Sequence, residues 1–225
     1  MSTINLEPLE RALLTRSGVS KAFSLPETIE RAAGLVLLAA AAPAIAASAI
    51  TVAALSRRSP FIAHLRVAKG GKPFWMLKLR TMWPSNEAAA GARKAWIERI
   101  IAAPEQDGKD PSDARVSSKF AWFCRRHSID ELPQLWHVAR GEMSLVGPRP
   151  LTRTEIDRYY PDNATELLSV KPGLTGLWQI HGRSTIRFPR RAVMDLELVR
   201  SLTSKTYFKI LLHTIPSIIR GIGAW

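Results

Sequence analysis

Between Ala32 and Leu55 the chain runs for 24 residues without a charge. A straight helix of that length reaches ~36 Å, enough to cross a hydrocarbon core of ~30 Å. Pro43 divides the run and removes a backbone donor, so a kink is expected there. Each half alone reaches ~17 Å, roughly the bilayer midplane. Basic residues flank both ends: Arg16, Lys21 and Arg31 before, Arg57, Arg58, Arg66 and Lys69 after. Positive charge marks the cytoplasmic side of a membrane, and a hairpin that dips in, bends at Pro43 and returns satisfies both flanks. A simple span satisfies one. A re-entrant helix over 29–58 is therefore the preferred reading, beside a simple span and an ordinary buried helix.

The rest of the composition narrows the partners. With 46% hydrophobic residues the chain can bury a core, which excludes disorder throughout. The net charge of +13 favours anionic partners: nucleic acid, anionic lipid or phosphorylated substrates. Cys124 is the single cysteine, which excludes an internal disulfide and fits a reducing compartment. It reads as a small core residue rather than a nucleophile.

Three segments follow: a polar segment 1–28, the membrane helix 29–58 and a compact domain 59–225. Within the last, Lys72–Met82 reads as a short strand followed by a turn at Trp83-Pro84. A helix is expected near Ala89–Ala102, a loop over Pro104–Pro111, turns over Gly141–Pro150 and a helix within Glu155–Leu168. Glycines keep Lys171–Gly182 from forming a long element. Ile210–Ile219, with Lys205, Lys209 and Arg220 nearby, has the spacing of an amphipathic helix.

The densest chemistry lies in Arg125-Arg126-His127-Ser128-Ile129-Asp130-Glu131-Leu132-Pro133-Gln134. Ser128 and Glu131 have capping-box spacing, and Pro133 suits a helix start. A helix start also attracts phosphate, which Arg125 and Arg126 could clamp. Two adjacent carboxylates amid that charge offer a nucleophile and a metal ligand, and they suit one shared cation or phosphate better than a glycosidase pair facing across a cleft. In Gly141-Glu142-Met143-Ser144-Leu145-Val146-Gly147-Pro148-Arg149-Pro150, prolines on both sides of Arg149 make a rigid platform for one guanidinium. A third block, Lys171–Arg183, holds glycines that permit close ligand approach. There is no Cys/His zinc spacing, no P-loop and no GxGxxG.

Taken together these blocks resemble the bacterial sugar transferases that act as polyprenyl-phosphate monophosphoglycosyl transferases. The resemblance rests on DELPQ at Asp130–Gln134, GEMSLVGPRP at Gly141–Pro150, KPGLTGLWQ from Lys171, and GKPF and KLRTM upstream. It implies an α-rich α/β fold, with a re-entrant membrane helix joined to a small cytoplasmic catalytic domain bearing amphipathic interfacial helices. It also implies a short monotopic form at the cytoplasmic face of a bacterial inner membrane. By that similarity Asp130 is the nucleophile, Glu131 the second member of the dyad, and both are candidate ligands for Mg²⁺. Arg125 and Arg149 sit where the family places phosphate-binding arginines, and Lys78 and Arg80 match another basic motif. The implied partners are a UDP-sugar, polyprenyl (undecaprenyl) phosphate and anionic membrane lipid, with room for a homodimer and no nucleic acid. The implied products are UMP and a polyprenyl diphosphate-sugar that starts exopolysaccharide or another glycoconjugate. Departures from the family pattern fall at Ala42, which replaces a serine before Pro43, at Ala63–Ala68, and at Leu198–Leu202.

Two other classes compete. A basic nucleic-acid-binding module would use the charge and the seven tryptophans, but has no use for an uncharged run of this length. A non-catalytic membrane scaffold for polysaccharide assembly predicts that Asp130 is replaceable.

Overall fold

The computed structural model describes residues 23–83, 116, 118–183, 186 and 188–221. The expected helix near Ala89–Ala102 and the loop Pro104–Pro111 lie outside the described residues.

The first helix, α1 (Glu27–Ser56), contains the whole uncharged run and continues through Pro43. The helical assignment is therefore unbroken at the position where two separate halves were expected. Glu27 and Glu30 in the first turn complement the helix dipole, and Arg57 ends the helix in the left-handed region at φ 52°. Glu30, Gly34, Ser48, Ala49 and Val52 are buried, and Leu38, Ala41 and Ile45 between them are half-buried. Their spacing of three or four residues makes one stripe along the whole helix. Leu35, Val36 and Ile50 on other faces are 58%, 67% and 71% exposed, which leaves a broad apolar surface in solvent.

The stripe docks on the rest of the chain at both ends. Near its start, Glu30 Oε1 accepts from Ser144 Oγ (2.5 Å), Tyr207 Oη (2.7 Å) and the Leu145 amide (3.1 Å). One turn later a Cβ on Gly34 would lie 2.9 Å from the Ala139 nitrogen, so only glycine permits this approach. Near its end, Val52 packs with Trp83 and Ala121.

Beyond α1, strands β1 (Phe61–Val67) and β2 (Pro73–Leu79) form an antiparallel hairpin with Leu65 opposite Trp75 and Ile62 opposite Lys78. The expected strand within Lys72–Met82 is β2; β1 went unrecognised. One face of the hairpin buries Phe74 and Met76, while Leu65 and Trp75 stand exposed on the other. Helix α2 (Lys119–Arg126) follows, capped by Ser118 Oγ accepting from the Ala121 amide. A tight turn leads into a 3₁₀ segment, Ile129–Gln134, and then α3 (Leu135–Arg140).

Strands β3 (Ser144–Val146) and β4 (Gly173–Thr175) pair in parallel, with Ser144 opposite Gly173 and Val146 opposite Thr175. Between them come α4 (Arg153–Tyr159) and α5 (Ala164–Leu167), so the helix expected within Glu155–Leu168 is split in two. Three helices complete the described chain: α6 (Leu177–His181), α7 (Phe188–Ser201) and α8 (Ser204–Arg220). As the Ile210–Ile219 periodicity predicts, α8 is amphipathic: Tyr207 and Ile210 are buried, while Phe208, Leu212, Ile215 and Ile219 are exposed. The main core gathers Phe74, Met76, Val138, Met143, Val146, Leu198 and Tyr207; a second gathers Val67, Leu151, Ile156, Tyr160, Phe188 and Leu196.

Candidate active site

Asp130 and Glu131 lie on the 3₁₀ segment, at the foot of α2. The predicted capping box does not form. Ser128 adopts a left-handed conformation (φ 54°, ψ 24°), and its side chain caps nothing. Instead Ser128 Oγ accepts from Arg183 Nη2 at 2.6 Å, and Glu131 Oε1 receives Lys78 Nζ at 2.7 Å. The two side chains that could have capped the helix are thus engaged by cations from β2 and from the end of α6.

Asp130 is buried, 7% exposed. In the Lys78–Glu131 pair, the side chains are 15% and 26% exposed, so water screens it only partly. Arg183 adds a second bond to this turn, Nη1 to the Arg126 carbonyl at 3.2 Å. Burial lowers the Arg183 pKa, and the negative charges of Glu131 and Asp130 oppose that shift. Arg183 is therefore a nearby counter-charge for both carboxylates.

On the opposite wall, two motifs far apart in sequence meet as bare backbone. The Gly147 amide donates to the Thr175 carbonyl (2.9 Å), and the Gly173 amide donates to the Pro148 carbonyl (2.8 Å). A Cβ on Gly173 would lie 2.6 Å from Gly147 Cα, so the VGP and KPG glycines are required by close approach. This junction carries Arg149 into the cleft, over the Trp178 ring at 5.6 Å. Arg191 lies over the same ring at 4.7 Å, so two guanidinium groups share one indole.

The cleft between these walls is lined by Lys78, Arg125, Arg149, Arg183 and Arg191, with Asp130 and Glu131 among them. Five cations face two carboxylates. Such a surplus favours a ligand with several negative charges, such as a diphosphate.

The sequence matches the bacterial sugar transferase family model over residues 22–221. The chain belongs to the bacterial sugar transferase family. It is 36% identical over 174 residues to the UDP-galactose-lipid carrier transferase of Erwinia amylovora, covering 74% of this chain and 35% of that protein. It is 33% identical over 201 residues to the UDP-glucose:undecaprenyl-phosphate glucose-1-phosphate transferase of Caulobacter vibrioides, covering 86% of this chain and 69% of that one. It is also 36% identical over 171 residues to the exopolysaccharide production protein ExoY of Sinorhizobium fredii, covering 74% and 73%. The chain thus spans about a third of the length of the Erwinia protein, whose matched share is 35%.

Of the residues singled out in this family member, Lys78, Arg125, Asp130, Glu131 and Arg149 come together in the cleft. Arg80 is not among the lining side chains; its Nε donates to the Ser59 carbonyl at 2.7 Å and ties the end of β2 to the chain before β1. Cys124 is fully buried, and burial together with the nearby Asp130 charge raises its pKa to about 11, so the thiol is inert at neutral pH.

Sequence reasoning placed Trp178 and Arg183 in the third block without giving either a role, and missed Arg191 and Asp195. Asp195 is 1% exposed on α7; it accepts from Tyr160 Oη at 3.0 Å and from the Arg149 amide at 3.4 Å. Burial raises its pKa to about 7, against the hydrogen bonds and the charges of Arg149 and Arg191 that favour the carboxylate. An acid set among the apolar residues Ala192, Val193, Leu196 and Val199 was the available signal.

No group of three or more metal-ligating side chains is found among the described residues. Two adjacent carboxylates nonetheless fit Mg²⁺, which takes oxygen ligands and fills the rest of its shell with water and substrate phosphate.

Proposed function

We propose that this protein transfers a sugar-1-phosphate from a UDP-sugar to polyprenyl (undecaprenyl) phosphate, at the cytoplasmic face of a bacterial inner membrane. The observation that carries the reading is the cleft itself: a paired carboxylate dyad enclosed by five cationic side chains. Phosphoryl transfer needs charge neutralisation and alignment, which such a ring supplies.

In the first step a carboxylate oxygen of Asp130 attacks the sugar-proximal phosphorus. The bond from that phosphorus to the bridging oxygen breaks, and UMP leaves. In the second step a phosphate oxygen of the polyprenyl phosphate attacks the same phosphorus, the aspartyl bond breaks, and Asp130 is regenerated as the carboxylate. Arg125, Arg149 and Arg183 hold the diphosphate, and Lys78 orients Glu131. Asp130 and Glu131 would hold Mg²⁺, which supplies Lewis-acid neutralisation of phosphate charge. The product diphosphate-sugar starts an exopolysaccharide or another glycoconjugate.

The membrane reading draws on α1. Its stripe engages one domain from Glu30 to Val52, so both ends of the helix meet the same body. A helix that crossed the bilayer would put its ends on opposite sides, whereas a re-entrant helix keeps them together. The exposed apolar face of α8, with Lys205, Lys209 and Arg220 on the same helix, suits an interfacial position on anionic lipid.

The test is UMP release by the purified protein with Mg²⁺, undecaprenyl phosphate and a panel of UDP-sugars. One sugar is expected to give UMP, and Asp130→Asn to lower the rate by about a thousandfold or more. Folded protein that yields no UMP with any sugar sinks the reading, as does an Asp130→Asn variant with full activity.

A further inference from the structure

Lys78 reaches Glu131 from a strand whose outer edge is closed by an imidazole ring. His137, on α3, is buried at 4% exposure. Its Nε2 lies 3.0 Å from the Leu77 amide, the residue next to Lys78. A backbone N–H can only donate, so Nε2 is the acceptor and carries no proton. The proton is on Nδ1, which donates to Glu142 Oε2 at 2.6 Å. The Phe74 ring, from the same strand, packs edge-on against the imidazole with centroids 5.3 Å apart.

Every polar atom of the ring therefore has one task. Glu142 fixes the tautomer, the tautomer presents a lone pair, and the lone pair takes up an amide that the β1–β2 ladder leaves pointing outward. α3 follows directly on the 3₁₀ segment that carries Asp130 and Glu131. The bond to Leu77 thus ties the strand bearing Lys78 to the continuation of the segment bearing its carboxylate partner. The two ends of the 2.7 Å Lys78–Glu131 contact are fixed relative to each other through the histidine.

We propose that His137 is a positioning residue of the transfer reaction: its neutral ring locks the outer edge of β2 to α3 and so holds Lys78 against Glu131. The proposal rests on the transferase reading above. His137 does not line the cleft, so its effect falls on the alignment of the dyad rather than on substrate binding.

Two substitutions separate this role from simple core filling. In His137→Gln the terminal carbonyl reaches as far from Cβ as Nε2 does and can accept from the Leu77 amide. His137→Leu fills space but offers no acceptor. Each is assayed by UMP release and by hydrogen exchange of the β2 peptide in the full-length protein. His137→Leu is expected to lower kcat about tenfold or more while KM for the UDP-sugar stays within about twofold, since misplaced catalytic groups act on rate rather than affinity. Exchange in β2 should quicken in the same variant. His137→Gln should restore both kcat and protection.

Unchanged β2 exchange in His137→Leu overturns the lock, whatever the activity. So does an equal loss of kcat in the two variants. Should His137→Leu fail to fold, His137→Gln decides: native kcat and exchange support the lock, and a folded variant with low kcat overturns it. Wild-type protein that makes no UMP with any sugar defeats the transferase reading instead, and the exchange measurement still reports on the lock.

Discussion

The wall of the cleft that carries Asp130 and Glu131 is pinned by side chains, whereas the wall that carries Arg149 is pinned largely by main chain. On the first wall Lys78 meets Glu131 and Arg183 meets Ser128, and each contact spans more than fifty residues of sequence. On the second wall Gly147 and Gly173 exchange backbone hydrogen bonds with the opposite segment, prolines flank Arg149, and the buried Asp195 accepts the Arg149 amide. Side-chain contacts respond to the loss of a charge and can re-form. Backbone contacts respond to added volume and cannot. The difference suits the two jobs in the reaction proposed above: there the dyad would change charge and bonding, while the arginine wall would only have to hold still.

The sharpest test is one carbon atom. In Gly173→Ala the new Cβ would lie 2.7 Å from the Gly147 carbonyl oxygen, and neither backbone can yield without breaking the β3–β4 pairing. Destabilisation of about 3 kcal/mol or more is expected, at the upper end for overpacking, with activity and melting temperature falling together. Thermal unfolding in detergent measures it. A stable variant would mean that the arginine wall is softer than its close packing implies.

Next comes a pH effect on the same wall. Asp195 titrates at about 7 in the fold against an ordinary value of 3.8. The raised value means that between about pH 4 and 7 the native state binds more protons than the unfolded state, so stability falls as pH rises through that window and levels off above it. Between pH 5 and pH 8 the loss amounts to about 3 kcal/mol. Asp195→Asn, neutral throughout, should abolish that slope. Parallel pH profiles for the two proteins would show that Asp195 stays ionised and that its neighbours neutralise it fully.

The dyad wall should behave in the opposite way. Lys78→Met removes the cation that donates to Glu131 Oε1 at 2.7 Å. A fall of kcat/KM by about thirtyfold, or about 2 kcal/mol, is expected with little change in melting temperature. A drop in melting temperature as large as that of Gly173→Ala would erase the distinction between the walls.

What the sequence made legible follows the same division. DELPQ and VGPRP are contiguous, so the dyad and the Arg149 platform could be read off short strings, whereas the glycines of KPG gave no sign of their junction with VGP. The contacts that hold the dyad are not local: Arg183 to Ser128 and His137 to Leu77 are separated by 55 and 60 residues, and no spacing announces them. Strand β1 does alternate, Ala63-His64-Leu65-Arg66-Val67, but Phe61 and Leu65 of its apolar set stand exposed, so the pattern does not mark a core-facing strand of the usual kind. Helix α7 was hidden by Pro189, Arg190 and Arg191 at its start, although proline is tolerated in a first turn. The long helix was legible in place and length. Its buried stripe was not, because alanines look alike on every face.

The smallest effect tests a motif that stands once beside each wall. Ser128 and Thr152 each stand three residues before a glutamate. Only Thr152 caps: its Oγ1 accepts from the Glu155 amide at 3.1 Å, and Glu155 Oε2 accepts from the Thr152 amide at 2.6 Å. Its backbone is extended (φ −76°, ψ 162°), as a capping residue requires, whereas the left-handed Ser128 turns its hydroxyl to Arg183. The same short pattern therefore has a structural meaning beside the arginine wall and a different one beside the dyad. Thr152→Ala should cost about 1 kcal/mol, a fall of roughly 2–4 °C in melting temperature, with kcat unchanged. Ser128→Ala should do the reverse, lowering kcat through the released Arg183 while the melting temperature moves less. Equal falls in melting temperature, with activity intact in both, would mean that Ser128 is a cap after all and that Arg183 does not depend on it.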